Sequence, residues 1–161
     1  MRLLFKLFIG ILMLSFFSCD YFCSNTYLNL AFVGFDSTDI NKIVLRKYKI
    51  NTAFQSPIDT FFITNDTGNF GYIYTIINDT TVIYNNMGDS AQITNGYDWA
   101  VYIPSKNKTK YISNIERMPG NGKHGCLNPI ISFKQDSSII TPRWVSTDQF
   151  WTTGYRAYIY K

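Results

Sequence analysis

Catalysis needs positioned nucleophiles, acids or metal ligands, and this chain supplies few of them. His124 is its sole histidine and stands in GKHGC, two residues before Cys126. A thiol–imidazole pair works only within hydrogen-bond reach and with a third group orienting the base. Neighbouring positions in a glycine-rich loop do not supply that geometry by themselves. Cys23, His124 and Cys126 give at most three thiol or imidazole ligands, without the paired CxxC spacing of a zinc site. NDTGN (Asn65 to Asn69) gathers oxygen atoms near a glycine, but it lacks the EF-hand order, and a polar turn accounts for it. A glycosidase needs two carboxylates. The chain has a single glutamate, and half of its aspartates (Asp36, Asp66, Asp79, Asp89, Asp136) stand in turn-like clusters that local hydrogen bonding explains. No phosphate-binding loop, dinucleotide fingerprint or nucleophile elbow occurs. The expectation is therefore a non-enzyme without metal or cofactor, with an envelope hydrolase as the least supported class.

The unusual bulk property is aromatic content, 17% of residues, with 12 Tyr and 13 Phe. In β-proteins such residues fill pleated, half-buried faces. One cluster is richer than that requires: RWVSTDQFWTTGYR, Arg143 to Arg156. Trp144, Phe150, Trp151 and Tyr155 lie there among Asp148, Gln149 and Arg156. Flat rings flanked by planar hydrogen-bonding groups grip sugar rings, and the same mixture is enriched at protein interfaces. The cluster also suits a plain cap on one end of a core. Trp144, Asp148, Phe150, Trp151, Tyr155 and Arg156 are the candidate ligand-binding residues, with a glycan or another envelope protein as partner. The net charge is +4, and Arg2 and Lys6 supply two of those charges. With no run of like charge, nucleic acid is not expected as a partner.

The compartment is written at the N-terminus. Arg2 and Lys6 precede an apolar run, Leu7 to Phe17. That run is about a dozen residues, short of the roughly 20 that span a bilayer, and it has the order of a secretory signal. It ends in SFFSC, which resembles the lipobox of bacterial lipoproteins, with Ser18 at −1 and Cys19 as the acylated residue. Phe16 replaces the usual Leu at −3, so the match is to the relaxed lipobox of Bacteroidota lipoproteins. The resemblance covers residues 1–19. It implies a cleaved signal peptide over residues 1–18, a lipidated Cys19 with a short tether over residues 19–25, and a membrane partner reached through the lipid. The protein is then expected in the cell envelope, on the outer membrane, with the periplasmic or surface face undecided by a lone Asp20. In that oxidising compartment Cys23 and Cys126 form an even pair, and a disulfide between them is expected, with two free thiols as the alternative. DST at Asp36, DTT at Asp79 and DSA at Asp89 are similar to the O-glycosylation motif of the same lipoproteins, pointing to Ser37, Thr80 and Ser90.

Residues 26–161 read as one all-β domain. Leu28, Leu30 and Phe32 alternate on one face, as do Ile43 with Leu45 and Trp99 with Val101 and Ile103. Lys42, Arg46, Lys47 and Lys49 suggest that the second strand is partly exposed or at an edge. Asn78-Asp79 and Asn95-Gly96 each predict a two-residue hairpin, and Asp136-Ser137 a further turn. STDQFWTT grants one helical turn, through Ser146 and Gln149 at capping-box spacing. About nine short strands at close spacing predict an antiparallel β-sandwich, immunoglobulin-like or transthyretin-like, with an up-and-down barrel as the alternative.

Overall fold

A computed structural model describes residues 27–64, 72–77, 79–85, 92–120, 128–145 and 154–161. Cys19, the expected lipidation site, lies outside these residues, as do Cys23, Cys126, His124, residues 19–25, NDTGN and the STDQFWTT segment. Eleven strands follow one another: β1 Leu28–Val33, β2 Lys42–Lys49, β3 Asp59–Thr64, β4 Tyr72–Ile77, β5 Thr80–Asn85, β6 Tyr97–Ile103, β7 Lys108–Arg117, β8 Ile130–Gln135, β9 Ser138–Ile140, β10 Trp144–Val145 and β11 Gly154–Tyr160. They form two sheets. Sheet A has the order β10-β11-β1-β5-β4, and sheet B the order β3-β2-β6-β7-β8-β9. Among the described residues no helix is long and apolar enough to cross a membrane.

The period-two pattern dictates the packing. Leu28, Leu30 and Phe32 of β1, with Ala157 and Ile159 of β11, face Ile43 and Leu45 of β2 and Trp99, Val101 and Ile103 of β6. This one cluster joins both sheets, and Phe32, Trp99 and Val101 are wholly buried. Alternation along each strand leaves one face to make the core and the other to meet its surroundings. Each such large side chain contributes about 1.5–3 kcal/mol by leaving water. The all-β sandwich is therefore the fold.

Three local features differ from the sequence reading. The first is β1 beside β11, which run parallel from Leu28↔Tyr155 to Val33↔Tyr160. Every other pair of strands is antiparallel. No turn can make a parallel pair, so the joining of the first and last strands is invisible to any local pattern. The second is β2, which is not an edge strand but lies between β3 and β6. Its cations are accommodated on aromatic faces instead: Lys42 over Phe62, Arg46 over Tyr102 at 5.5 Å, and Lys47 over Tyr97 at 3.8 Å. The third is Asn95-Gly96. It does not close a hairpin, since Ile93 bridges Leu28 of sheet A while Tyr97 opens β6 of sheet B. The turn, with Gly96 at φ +85°, carries the chain from one sheet to the other. The hairpin at Asp136-Ser137 forms as expected, closed by Gln135↔Ser138, and β4 pairs with β5 from Ile77↔Thr80, while Asn78 lies outside the described residues.

Candidate binding face

The outer face of sheet B is built from the strand positions that alternate with the core. From β2 it takes Val44, Arg46 and Tyr48, and from β6 it takes Asp98, Ala100 and Tyr102. The ladder sets Tyr48 beside Asp98, and Ala100 beside Tyr111 of β7. Although this face looks away from the core, Val44, Tyr48, Asp98 and Ala100 are buried. Val44 lies between Phe62 and Tyr102 in the ladder, and Tyr48 and Asp98 meet the β2–β3 loop, residues 50–58. Phe54 stacks edge-on to Tyr48 (5.5 Å between centroids) and tilted against Tyr111 (4.4 Å). These contacts draw the loop back across the small side chain of Ala100.

That loop holds an improbable backbone. Asn51, Ala53, Phe54 and Ser56 all have left-handed φ, between +51° and +63°. Such a conformation costs of order 1–2 kcal/mol per residue with a Cβ, Asn least. It persists only where neighbours over-determine it. Here Thr52 Oγ1 donates to Lys49 O at 2.8 Å, Gln55 N to Thr52 O at 3.0 Å and Ile58 N to Lys47 O at 2.7 Å. Asn51 N–H donates to Asp98 Oδ2 at 3.3 Å. Asp98 also receives the N–H of Asn114. Burial outweighs these donors and raises its carboxyl above the ordinary range. Its Oδ1 is buried without a hydrogen-bond partner.

Beyond Tyr111 the sheet is broken twice. On β7, Ser113 pairs with Lys134 and Glu116 with Ser132, so three steps on β7 match two on β8. Asn114, at φ +48°, is the extra residue. This bulge lets Ile112 and Ile115, three positions apart, both point into the core. On β8 the next partner is Arg117↔Ile130, and the extra residue is Ile131, 40% exposed. The two bulges open a groove of about 150 Å³ lined by Asn114, Glu116, Ser132, Phe133, Lys134 and Ile139. Ser132 Oγ donates to Glu116 Oε2 at 2.8 Å. The one glutamate of the chain thus lies in this groove. The sequence reading met it as a lone carboxylate and gave it no site. The spacing of Ile112 and Ile115 was the signal available.

The sequence-predicted cluster is arranged differently. Trp144, 40% exposed, meets Tyr155 edge-on at 5.2 Å where β10 pairs with β11. Tyr155 packs against the core, and burial raises its hydroxyl above the ordinary tyrosine range. Arg156, one residue on, points to the opposite face of sheet A and is buried there. Tyr155 and Arg156 therefore cannot grip one ligand together. Asp148, Phe150 and Trp151 lie outside the described residues.

At the base of the glycine-rich loop, Arg117 ties several segments together. Its Nε donates to Asn95 Oδ1, Nη1 to Asn128 O and Nη2 to Thr94 Oγ1, each at 2.6 Å. Desolvation lowers its pKa from the ordinary arginine value. Asn128 Nδ2 in turn donates to Met118 O and Gly120 O. These bonds fix where the loop leaves and rejoins the sheet. Among the described residues no group of three or more His, Cys, Asp and Glu side chains is placed to hold a metal ion. Compared with protein families, characterised proteins and solved structures, the chain matches none.

Proposed function

We propose that this chain is a non-catalytic, lipid-anchored protein of a bacterial cell envelope, whose sandwich presents the outer face of sheet B to a ligand. The observation that carries the binding half is the Phe54–Tyr111 pair beside a doubly bulged groove. It sets half-exposed rings and hydrogen-bonding groups on rigid strands, held by a loop that tolerates backbone strain. Strain and bulges concentrate where a surface does work. The SFFSC sequence supports the anchor. A second reading keeps the ligand at the far side of the molecule, as a glycan on the Trp144 region. The exposure of Trp144 on an edge strand favours it.

Intact mass of the protein from its native membrane tests the anchor. The expected result is loss of residues 1–18 and a diacyl or triacyl adduct on Cys19. Cys19→Ala should leave the protein unacylated, with residues 1–18 still attached. An unmodified N-terminus overturns the anchored reading. Non-reducing peptide mapping of the same sample decides whether Cys23 and Cys126 are joined.

A further inference from the structure

We infer that the groove between the β7 and β8 bulges is a carbohydrate subsite, taking one neutral pyranose ring of a glycan that continues over Tyr111 and Phe54. This rests on the reading of sheet B's outer face as the binding face, and it names the ligand. Three observations carry it.

The first is size. Pockets for drug-sized ligands run to roughly 300–1,000 Å³. A groove of about 150 Å³ holds a single small ring or end group. The second is the chemistry of the walls. Glu116 accepts, Lys134 donates, and Asn114 does both. The pair of charges cancels, so a net-charged ligand gains from one wall and loses to the other. A ring of hydroxyls, each both donor and acceptor, satisfies the two together. Ile139, 77% exposed on edge strand β9, gives the groove one apolar wall beside these polar groups. A pyranose has the same division, with an apolar C–H face and a hydroxyl rim.

The third is what adjoins the groove. Tyr111 lies two residues before Ser113, which pairs with Lys134, so it flanks the groove along β7 on the same face. Its ring is 38% exposed and tilted at 50° to Phe54. The two rings offer a stacking surface to a second sugar unit. The donor side is fixed as well. Asn114 is held by its N–H bond to the buried Asp98, which also holds the Phe54 loop through Asn51. Groove and stacking surface therefore share one support. Their spacing is set before any ligand arrives, and little ordering cost falls on binding.

Saturation-transfer NMR on the purified full-length protein in a non-glycosidic detergent tests this. The probes are methyl α-glucoside, methyl α-galactoside, methyl α-mannoside and N-acetylglucosamine. At least one should show saturable transfer. Glu116→Gln and Lys134→Met, each removing one charge-assisted hydrogen bond, should weaken it about tenfold. Tyr111→Ala should spare the monosaccharide and weaken the matching disaccharide. Ile76→Ala, on the exposed face of β4, should bind as the parent does. No transfer with any of the four overturns the inference. So does transfer that Glu116→Gln and Lys134→Met leave unchanged. Transfer that survives both but disappears in Trp144→Ala moves the sugar to the β10 edge. The acyl mass on Cys19 and membrane fractionation are independent of every one of these outcomes, so the anchored reading stands or falls separately.

Discussion

Asp39 and Asp98 are about equally hidden, 8% and 6% exposed, yet their surroundings drive them in opposite directions. Asp39 follows β1 at one end of the sandwich. Lys106 reaches it at 2.7 Å and Lys161 at 2.9 Å, and Lys161 also binds Asp36. The hydrogen bond from Lys106, then that from Lys161, lower its pKa to about 2. Ser105 Oγ donates to its carbonyl. Together these contacts tie the C-terminal residue to the turns after β1 and β6. Among the described residues no cation pairs with Asp98. It holds two backbone N–H groups under an aromatic cover, and desolvation wins. Burial alone therefore does not decide the state of a carboxylate. The partner does, and a carboxylate kept without a cation serves geometry rather than charge balance.

The largest effect should come from emptying the uncharged site. Asp98→Ala leaves the N–H groups of Asn51 and Asn114 without their acceptor, and each stranded donor costs about 1–3 kcal/mol. Chemical denaturation should show that loss, and hydrogen exchange should speed up across residues 50–58. Asp98→Asn keeps an acceptor, removes the desolvated charge and should be neutral or stabilising at pH 7. If Asp98→Asn is as damaging as the alanine variant, Asp98 is not the buried, cation-free group described above.

The comparison sharpens with pH. The folded pKa of Asp98 is raised, so the native state binds its proton more tightly than the unfolded chain does. Its contribution is greatest in acid and falls as pH rises from about 3.8 through the folded value. Asp39 runs the other way. Its stabilisation is full above 3.8 and is lost as pH falls toward 2. Asp39→Asn should lower stability at pH 7 and flatten the acid limb between about 2 and 4. Asp98→Asn should steepen the rise of stability with pH above 3.8. Parallel denaturation curves from pH 2 to pH 7 would sink the contrast if both variants changed in the same sense.

Phe54→Ala comes next. Removing its contacts with Tyr48 and Tyr111 forfeits about 0.5–1.5 kcal/mol per aromatic pair beyond area, and it leaves a strained loop with less to hold it. The measured change should be confined to residues 50–58, with Trp99 burial untouched. The smallest effect belongs to Lys106→Ala. Lys161 still reaches Asp39, so one of its two cations stays in place. Thermal unfolding should hardly move, while Asp39 should titrate at higher pH than in the parent.

Much of the sandwich was legible because alternation is a local property. Trp99, Val101 and Ile103 announce a core face by spacing alone, and Asp136-Ser137 announces a turn. The candidate face was not legible, for three separate reasons. The Lys42–Lys49 cations read as solvent-facing because their aromatic acceptors, Phe62, Tyr102 and Tyr97, stand on neighbouring strands. Asn114 is an ordinary residue in sequence, and apart from the three-residue spacing of Ile112 and Ile115 it is the β8 register that shows it to be a bulge. Phe54 sits in a polar loop and meets Tyr111 across 57 positions of chain. Conversely, the Trp144-to-Arg156 segment looked like one surface because its residues are close in sequence. Strand pleating sends Tyr155 and Arg156 to opposite faces.

The sequence by itself determined the strand-rich class, the alternating core positions, the local turns and the charged, apolar N-terminal segment. Each of these depends on residues within a few positions of one another. Tertiary structure alone decided the parallel joining of β1 to β11, the interior place of β2, the paired bulges and the environments of Asp39 and Asp98. Those follow from which strand lies beside which, and the chain settles that by burying both sheets' apolar faces at once rather than by any short-range preference.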